Sequence, residues 1–308
     1  MRIVFFGSPD FAVPSLEALV AAGHEVALVV SQPAKPVGRS AELLDPPVAR
    51  RARELGLAVV QPPTLKDDAA VARLSDARAD LFVVVAYGKI LAQRVLDLPR
   101  LGCVNVHGSV LPRWRGASPV QAALLAGDAE SGVSIMRMEA GMDTGAVYAV
   151  TRGPIAPEED AGALSARLAR EGARLLAETL PRLEAGTLAP APQDDALATL
   201  CPKIRREDGQ ADFARPAEEL VRRLRAFTPW PGLFAFRGGR RVKLLAARAV
   251  GGSEGASPGE VLAAGEEVVV ACGEGALALA RLQAEGRRPL DAPTFVRGER
   301  VVPGERWS

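Results

Sequence analysis

The sequence predicts two domains, a doubly wound α/β domain followed by a smaller β-barrel, and three observations predict them. Over the first 150 residues short apolar runs alternate with segments of helical spacing, the rhythm of a largely parallel sheet with helices on both faces. Some of these runs, LFVVV above all, are apolar at successive positions, as central strands buried on both sides require. Beyond residue 209 the apolar runs are short and broken by glycine pairs, as in VKLLAARAV, EVLAAGEEVVVACGEGALALARLQ and TFVRGERVVPG, the pattern of a small antiparallel barrel or sheet. A length of 308 residues suits two domains of moderate size.

In chain order the expected strands are Arg2–Phe6, Val26–Val30, Leu81–Val85, Cys103–Val106, Val133–Met138 and Ala146–Val150. Between them Phe11–Ala22, Pro46–Leu55 and Ala117–Leu125 have helix-like spacing. A helix-rich stretch from Gly162 to Glu184 follows, then GTLAPAPQDDALAT, whose Pro, Ala and Asp content without periodicity reads as a linker. Pro216 to Phe227 reads as one more helix. The expected division is residues 1–185, a linker at 186–208, and a domain at 209–308.

Composition narrows the function classes. Hydrophobic residues make up 48% and charged residues 24%, enough apolar side chain for real cores and against global disorder. The net charge of +1 carries no chain-wide polyanion signal. Lys203 to Ser308, however, holds 18 Lys and Arg against 14 Asp and Glu, about +4, which leaves about −3 for the remainder. Phosphate neutralisation supplies much of nucleic-acid affinity; a solvated Arg-rich surface accounts for the same charge. Cys103, Cys201 and Cys272 lie far apart and form no CxxC pair, so neither a zinc site nor a disulfide framework follows. MRIVFFGSPD reads as a first strand, its apolar run being too short for a signal peptide, and no run of about 18 apolar residues is present to span a bilayer. A cytoplasmic location is expected.

The chemistry concentrates in CVNVHGSVLPRWRGASP, residues 103 to 119. Residues two apart on a strand share a face, so Asn105 and His107 project side by side where the strand becomes a loop. Aimed at one point, an amide and an imidazole can hold the oxyanion of a carbonyl under attack, and the imidazole can move a proton near neutral pH. A carboxylate to orient the imidazole is offered by Asp143 in EAGMDTGAVYAV, where Gly141 and Gly145 let the backbone bend. Each has a plainer use: a histidine at a strand end is often structural, and an Asp between glycines often fixes a turn. His24, in AAGHEVALV, has no assigned role. Gly7 is one glycine where G-x-G-x-x-G requires three, D-T-G stands alone where aspartic proteases need two carboxylates, and H-E-x-x-H does not occur. If the chain is an enzyme, substrate and cosubstrate bring the nucleophile and the electrophile. Gly7, Ala86–Ile90 and Asn105–Ser109 all fall at the carboxyl ends of expected strands, where open α/β sheets place their sites.

NVHGSVLPRWRGASPVQ, followed by GVSIMRMEAGMDTGAVY, closely resembles the methionyl-tRNA formyltransferases. The resemblance covers nearly the whole chain and takes in FFGSPDFAVPSLEAL, SQPAKPVGR, VVVAYGKIL, CPKIRREDGQADF and RAFTPWPG. N-x-H-x-S-x-L-P is shared with a wider group of folate-dependent formyltransferases, whereas LPRWRGASP and TPWPG are narrower. The resemblance implies a Rossmann-like formyltransferase domain and an OB-like barrel that contacts tRNA. It implies transfer of a formyl group from 10-formyltetrahydrofolate, the cosubstrate, to the α-amino group of methionine on initiator tRNA. Asn105 and His107 would stabilise the oxyanion, while Asp143 holds His107 and helps remove the amine's proton. Ser109, Val110, Leu111 and Pro112 would contact the folate, and Ala86, Tyr87, Gly88 and Ile90 would line the pterin pocket. No metal is implied, and a monomer is. Arg39 in the Ser31–Asp45 loop matches an arginine near the tRNA acceptor end, although Ser40, Ala41 and Glu42 stand where basic residues commonly follow. Lys203, Arg205 and Arg206 are further expected tRNA contacts.

Trp114 can stack on a base or pack internally, and its neighbours Arg113 and Arg115 can face phosphate or pair with acidic side chains. Packing is the expected use of Trp230. Three other functions share parts of the pattern: formylation of an amino-sugar nucleotide, RNA binding without catalysis, and hydrolysis of the folate to release formate. The basic C-terminal third favours a tRNA acceptor over the sugar, and the intact trio argues against a binding protein.

Overall fold

The run RIVFFG forms β1 (Arg2–Gly7), in which Ile3, Val4, Phe5 and Phe6 are all fully buried. Successive side chains of a strand point to opposite faces, so β1 is covered on both. The computed structural model describes residues 1–37, 42–252 and 254–308. Six further strands join β1 in one sheet: β2 (Glu25–Val30), β3 (Val59–Val60), β4 (Leu81–Val85), β5 (Cys103–His107), β6 (Glu130–Arg137) and β7 (Val147–Pro154). Their order is β7-β6-β5-β4-β1-β2-β3. The five strands from β3 to β5 are parallel, β6 is antiparallel to β5, and β7 is antiparallel to β6. The chain thus runs outward from β1 to β3 and returns to lay β4 against β1. This reversal makes the switch point of a doubly wound sheet, beside the carboxyl ends of β1 and β4.

Alternate residues of the central strands build one core layer: Val4 and Phe6, Leu28 and Val30, Phe82 and Val84, then Cys103. The Phe6 ring lies 5.2 Å from Phe82 and 5.5 Å from Tyr87, centroid to centroid. Such aromatic pairs contribute about 0.5–1.5 kcal/mol beyond burial alone. All six expected strands are present. β7 runs on to Pro154, past the expected Val150, because its pairing with β6 continues to Glu130. It is an edge strand, and its outer half, TRGP, needs no apolar run. The sequence pattern did not single out β3, two residues followed closely by two prolines, or the helix Asp68–Asp76, whose start Asp67 caps by accepting from the Ala70 amide at 2.7 Å. Lys35–Val37 pairs antiparallel with Glu42–Leu44, and Arg39 lies outside the described residues.

By internal contacts the chain separates into residues 1–119, 130–154 and 164–202 on one side, and 120–129, 155–163 and 203–308 on the other. The second unit contains β8 (Leu233–Arg237), β9 (Arg240–Val250), β10 (Val261–Ala264), β11 (Val268–Ala271), β12 (Ala276–Ala284) and β13 (Leu290–Asp291). All pair antiparallel in the order β8-β9-β12-β11-β10, with β13 on β12. Left alone, β8 and β10 would present open edges. Glu305–Ser308 spans both: Phe236 and Ser308 exchange backbone hydrogen bonds at 2.5 and 2.9 Å, the Trp307 amide donates to Gly259 at 2.8 Å, and the Val261 amide donates to Glu305 at 2.9 Å. The sheet therefore closes into a barrel, with the Trp307 ring buried. The helix Ala217–Phe227 lays Leu220, Leu224 and Phe227, one face at helical spacing, across β8, β9 and β12.

Trp230 departs from its expected packing role: its side chain is 54% exposed. No helix among the described residues is long and apolar enough to cross a membrane. The contrast between the two tryptophans is testable by denaturant unfolding. Trp307→Ala is expected to cost about 3–5 kcal/mol, the usual range for a buried aromatic, and Trp230→Ala less than about 1 kcal/mol. Equal costs would contradict barrel closure by Glu305–Ser308.

Candidate active site

Asn105 and His107 sit at the carboxyl end of β5, on the face that carries Cys103. Asn105 is half-buried in register with Val84 on β4 and Met136 on β6. Among the described residues nothing hydrogen-bonds its carboxamide. His107 is buried, with Nε2 2.9 Å from the carbonyl oxygen of Trp114 and Nδ1 3.7 Å from Oδ2 of Asp143. A carbonyl only accepts, so this partner assigns a ring proton to Nε2. Nδ1 is then the ring atom turned to the site.

Asp143 is anchored by the Gly116 amide, which donates to Oδ2 at 2.9 Å. The bend expected of the neighbouring glycines belongs to Asp143 itself, at φ +53°, a left-handed conformation that Asp adopts more readily than most residues. The glycines answer a steric need instead. A Cβ at Gly145 would meet the Arg137 carbonyl oxygen at 1.9 Å, and one at Gly141 would meet Thr144 Oγ1 at 2.1 Å.

Both partners of the pair, the Trp114 carbonyl and the Gly116 amide, come from the loop after His107. Trp114 is itself left-handed, at φ +61°, an outlier for a bulky residue that costs on the order of 1–3 kcal/mol. A later segment holds it there. The Trp114 amide donates to Thr199 Oγ1 at 2.9 Å, the Arg115 amide to the Thr199 carbonyl at 2.8 Å, and the Ala117 amide to the Cys201 carbonyl at 3.1 Å. Arg115 is buried; its guanidinium donates to Gln193 Oε1 at 3.0 Å and to Asp195 at 2.7 Å, so it pairs internally. Gln193 Nε2 in turn donates to the carbonyls of Asp143 and Gly145 at 2.8 and 2.7 Å. Gln193, Asp195 and Thr199 lie in the stretch that composition marks as a linker, and Cys201 within the expected linker bounds 186–208. Arg113 is exposed, its guanidinium 4.4 Å from the centre of the Trp114 ring.

The remaining candidates divide. Ser109 is buried, its hydroxyl donating to the Arg113 carbonyl at 2.5 Å and its own carbonyl accepting from Ser134 Oγ at 2.8 Å. Ser134 Oγ also accepts from the Leu111 amide at 3.0 Å, so Ser109–Pro112 is pinned to β6 immediately after His107. Ala86, Gly88 and Ile90 are exposed on the loop that leaves β4, the strand beside β5. The Tyr87 ring belongs to the core, its hydroxyl has no partner among the described residues, and burial pushes its pKa up to about 12. Only its carbonyl serves the loop, accepting from Gln32 Nε2 at 2.8 Å. Lys203, Arg205 and Arg206 are exposed residues of the second unit. His24 stands apart, with Nδ1 3.4 Å from the N-terminal amine.

A doubly wound sheet with an amide, an imidazole and a carboxylate at one strand end, and a separate small barrel, defines a class. Residues 1–180 match the formyl transferase family and residues 203–300 match the formyl transferase C-terminal domain. The chain belongs to the formyl transferase family. Among its relatives, the methionyl-tRNA formyltransferase of Ruegeria pomeroyi is 49% identical over 306 residues, which cover 99% of this chain and 100% of the relative. That of Pseudomonas paraeruginosa is 49% identical over 291 residues, 94% of this chain and 93% of the relative. HypX from Aquifex aeolicus in complex with tetrahydrofolic acid superposes with a TM-score of 0.65 at 19% identity over 96% of this chain. This chain spans 47% of the length of HypX. Methionyl-tRNA formyltransferase from Clostridium thermocellum superposes with a TM-score of 0.56 at 14% identity, over 80% of this chain and 93% of that one. At these identities the two structures share the fold alone.

Gly116 tests how the loop supports the site. It adopts φ +125°, and a Cβ there would lie 2.2 Å from the Cys201 carbonyl oxygen. Gly116→Ala is expected to cost at least about 1–3 kcal/mol in unfolding experiments, and a crystal structure of the variant should show Asp143 released from the residue 116 amide. An unchanged carboxylate and unchanged stability would contradict this account.

Proposed function

We propose that this chain transfers the formyl group of 10-formyltetrahydrofolate to the α-amino group of methionine on initiator methionyl-tRNA, working as a monomer in the cytoplasm. The observation that carries the reading is the state of the strand end: an Asn105 amide with no partner among the described residues, beside a His107 ring whose Nδ1 faces Asp143. Such groups suit a carbonyl that gains negative charge. The folate supplies that carbonyl and the nitrogen that leaves it. Asn105 donates an amide N–H to the carbonyl oxygen as charge develops, and His107 donates from Nδ1. For Nδ1 to donate, the ring must hold two protons, since Nε2 keeps its own for Trp114. Asp143 balances the ring's charge, accepts the proton that the amine loses as its bond to the formyl carbon forms, and returns it to the folate nitrogen as that nitrogen's bond to the carbon breaks, so that neutral tetrahydrofolate leaves. Removal of one such donor typically costs about 2.7–4 kcal/mol of barrier.

The pocket for the folate is formed by Ser109, Val110, Leu111 and Pro112 with Ala86, Gly88 and Ile90, and by Tyr87 through its backbone. Apolar walls with a few backbone polar groups suit a flat heterocycle. Residues 1–185 carry the reaction, 186–208 connect, and 209–308 contact tRNA. Lys203, Arg205 and Arg206, with Arg39, meet its phosphates, in keeping with the excess positive charge from Lys203 onward.

Single-turnover formyl transfer tests the reading, with charged initiator tRNA, charged elongator methionine tRNA and an amino-sugar nucleotide offered separately. Rapid formylation of the initiator alone is expected, and Asn105→Ala and His107→Ala should each lower the rate about 10²–10³-fold. Formylation of the sugar would reassign the acceptor. Release of formate without any acceptor would make the chain a hydrolase.

A further inference from the structure

The stretch from Gln193 to Cys201 holds the backbone on both sides of the site. Thr199 grips the two peptide units that flank Trp114: its hydroxyl accepts from the Trp114 amide at 2.9 Å, and its carbonyl accepts from the Arg115 amide at 2.8 Å. The Arg115 N–H and the Trp114 C=O belong to one planar peptide unit and point in opposite directions. Holding that N–H on Thr199 therefore aims that C=O at Nε2 of His107, 2.9 Å away. Gln193 does the corresponding work for the carboxylate. Its Nε2 donates to the carbonyls of Asp143 and Gly145 at 2.8 and 2.7 Å, fixing a turn whose Asp143 sits at φ +53°. Its Oε1 accepts from Nε of Arg115 at 3.0 Å, so one planar amide joins the two loops.

We infer that Gln193 and Thr199 are positioning residues of the formyl transfer: they set the separation and orientation of His107 and Asp143 without touching substrate. The inference rests on the catalytic reading of that pair. Left-handed backbone at two non-glycine residues persists only where the surroundings over-determine it, and these two side chains belong to those surroundings. A misplacement of about 1 Å in such a constellation can cost about 10²-fold in rate.

The test compares Gln193→Met, Thr199→Val and Thr199→Ser with the parent chain in single-turnover and steady-state formylation of initiator methionyl-tRNA. Gln193→Met and Thr199→Val are expected to lower kcat about tenfold or more with KM for the folate little changed. Thr199→Ser, which keeps the hydroxyl, should recover most of the rate. Because Gln193 acts through Asp143, the penalty of Gln193→Met should shrink below about twofold in an Asp143→Asn background, as coupled sites are non-additive. A residue that merely stabilises the fold would lower the rate by the same factor in both backgrounds, and that result would overturn the inference. So would a Thr199→Ser variant as slow as Thr199→Val, or parental rates in both Gln193→Met and Thr199→Val. Should Gln193→Met fail to fold, the Thr199 pair decides. His107→Ala and Asp143→Asn run alongside. If they are slow while the Gln193 and Thr199 variants are not, only the positioning role fails; if they are as fast as the parent, the catalytic pair fails and the positioning role falls with it.

Discussion

What His107 can do is decided by one carbonyl. Without the Trp114 oxygen at 2.9 Å, the neutral ring could carry its proton on either nitrogen. With it, Nε2 is committed and Nδ1 becomes the edge that meets Asp143 and the space beyond β5. The carbonyl points there only because Trp114 is left-handed, a conformation that opposes folding by on the order of 1–3 kcal/mol. Each hydrogen bond around it contributes about 0.5–1.5 kcal/mol, so several acting together outweigh the strain where one would not.

The sheet supplies the fixed reference for that local arrangement. β4 and β1 are buried on both faces, and β5 inherits their rigidity through its pairing with β4. Two apolar residues of β5, Cys103 and Val104, are sealed into the core just before the chain presents Asn105 and His107. The site thus stands on packed strands and is shaped by loops: β5 sets where the imidazole begins, and residues 112–117 set how it is turned.

The sequence made legible whatever local pattern encodes. Successive apolar residues mark the central strands, and the two-residue spacing puts Asn105 and His107 on one face. Gln193 and Thr199 stay hidden because their work is done by a few hydrogen bonds to backbone 48 to 85 residues away, from an aperiodic stretch of Pro, Ala and Asp. The sequence leaves Trp114 open between stacking and packing for a related reason: the part of it that turns the histidine is its main chain, which residue type does not encode. Trp230 is left largely to solvent where packing is expected of it. Nothing local to VVPGERWS shows that it closes a barrel, since its partners at Phe236 and Gly259 are distant in sequence.

The hydrogen bonds from Gln193 to Cys201 also fix where the two halves of this architecture can be exchanged. Composition draws the seam near Gly186, where periodicity stops. A recombinant in which a foreign C-terminal module began there would carry away the supports of its own histidine loop and inherit ones shaped for another. By contacts residues 164–202 stay with the sheet, and a junction after Pro202 leaves the catalytic loops with the groups that hold them. A junction that spares the histidine loop therefore falls some fifteen residues later than sequence texture suggests, with the intervening stretch kept on the side of the sheet.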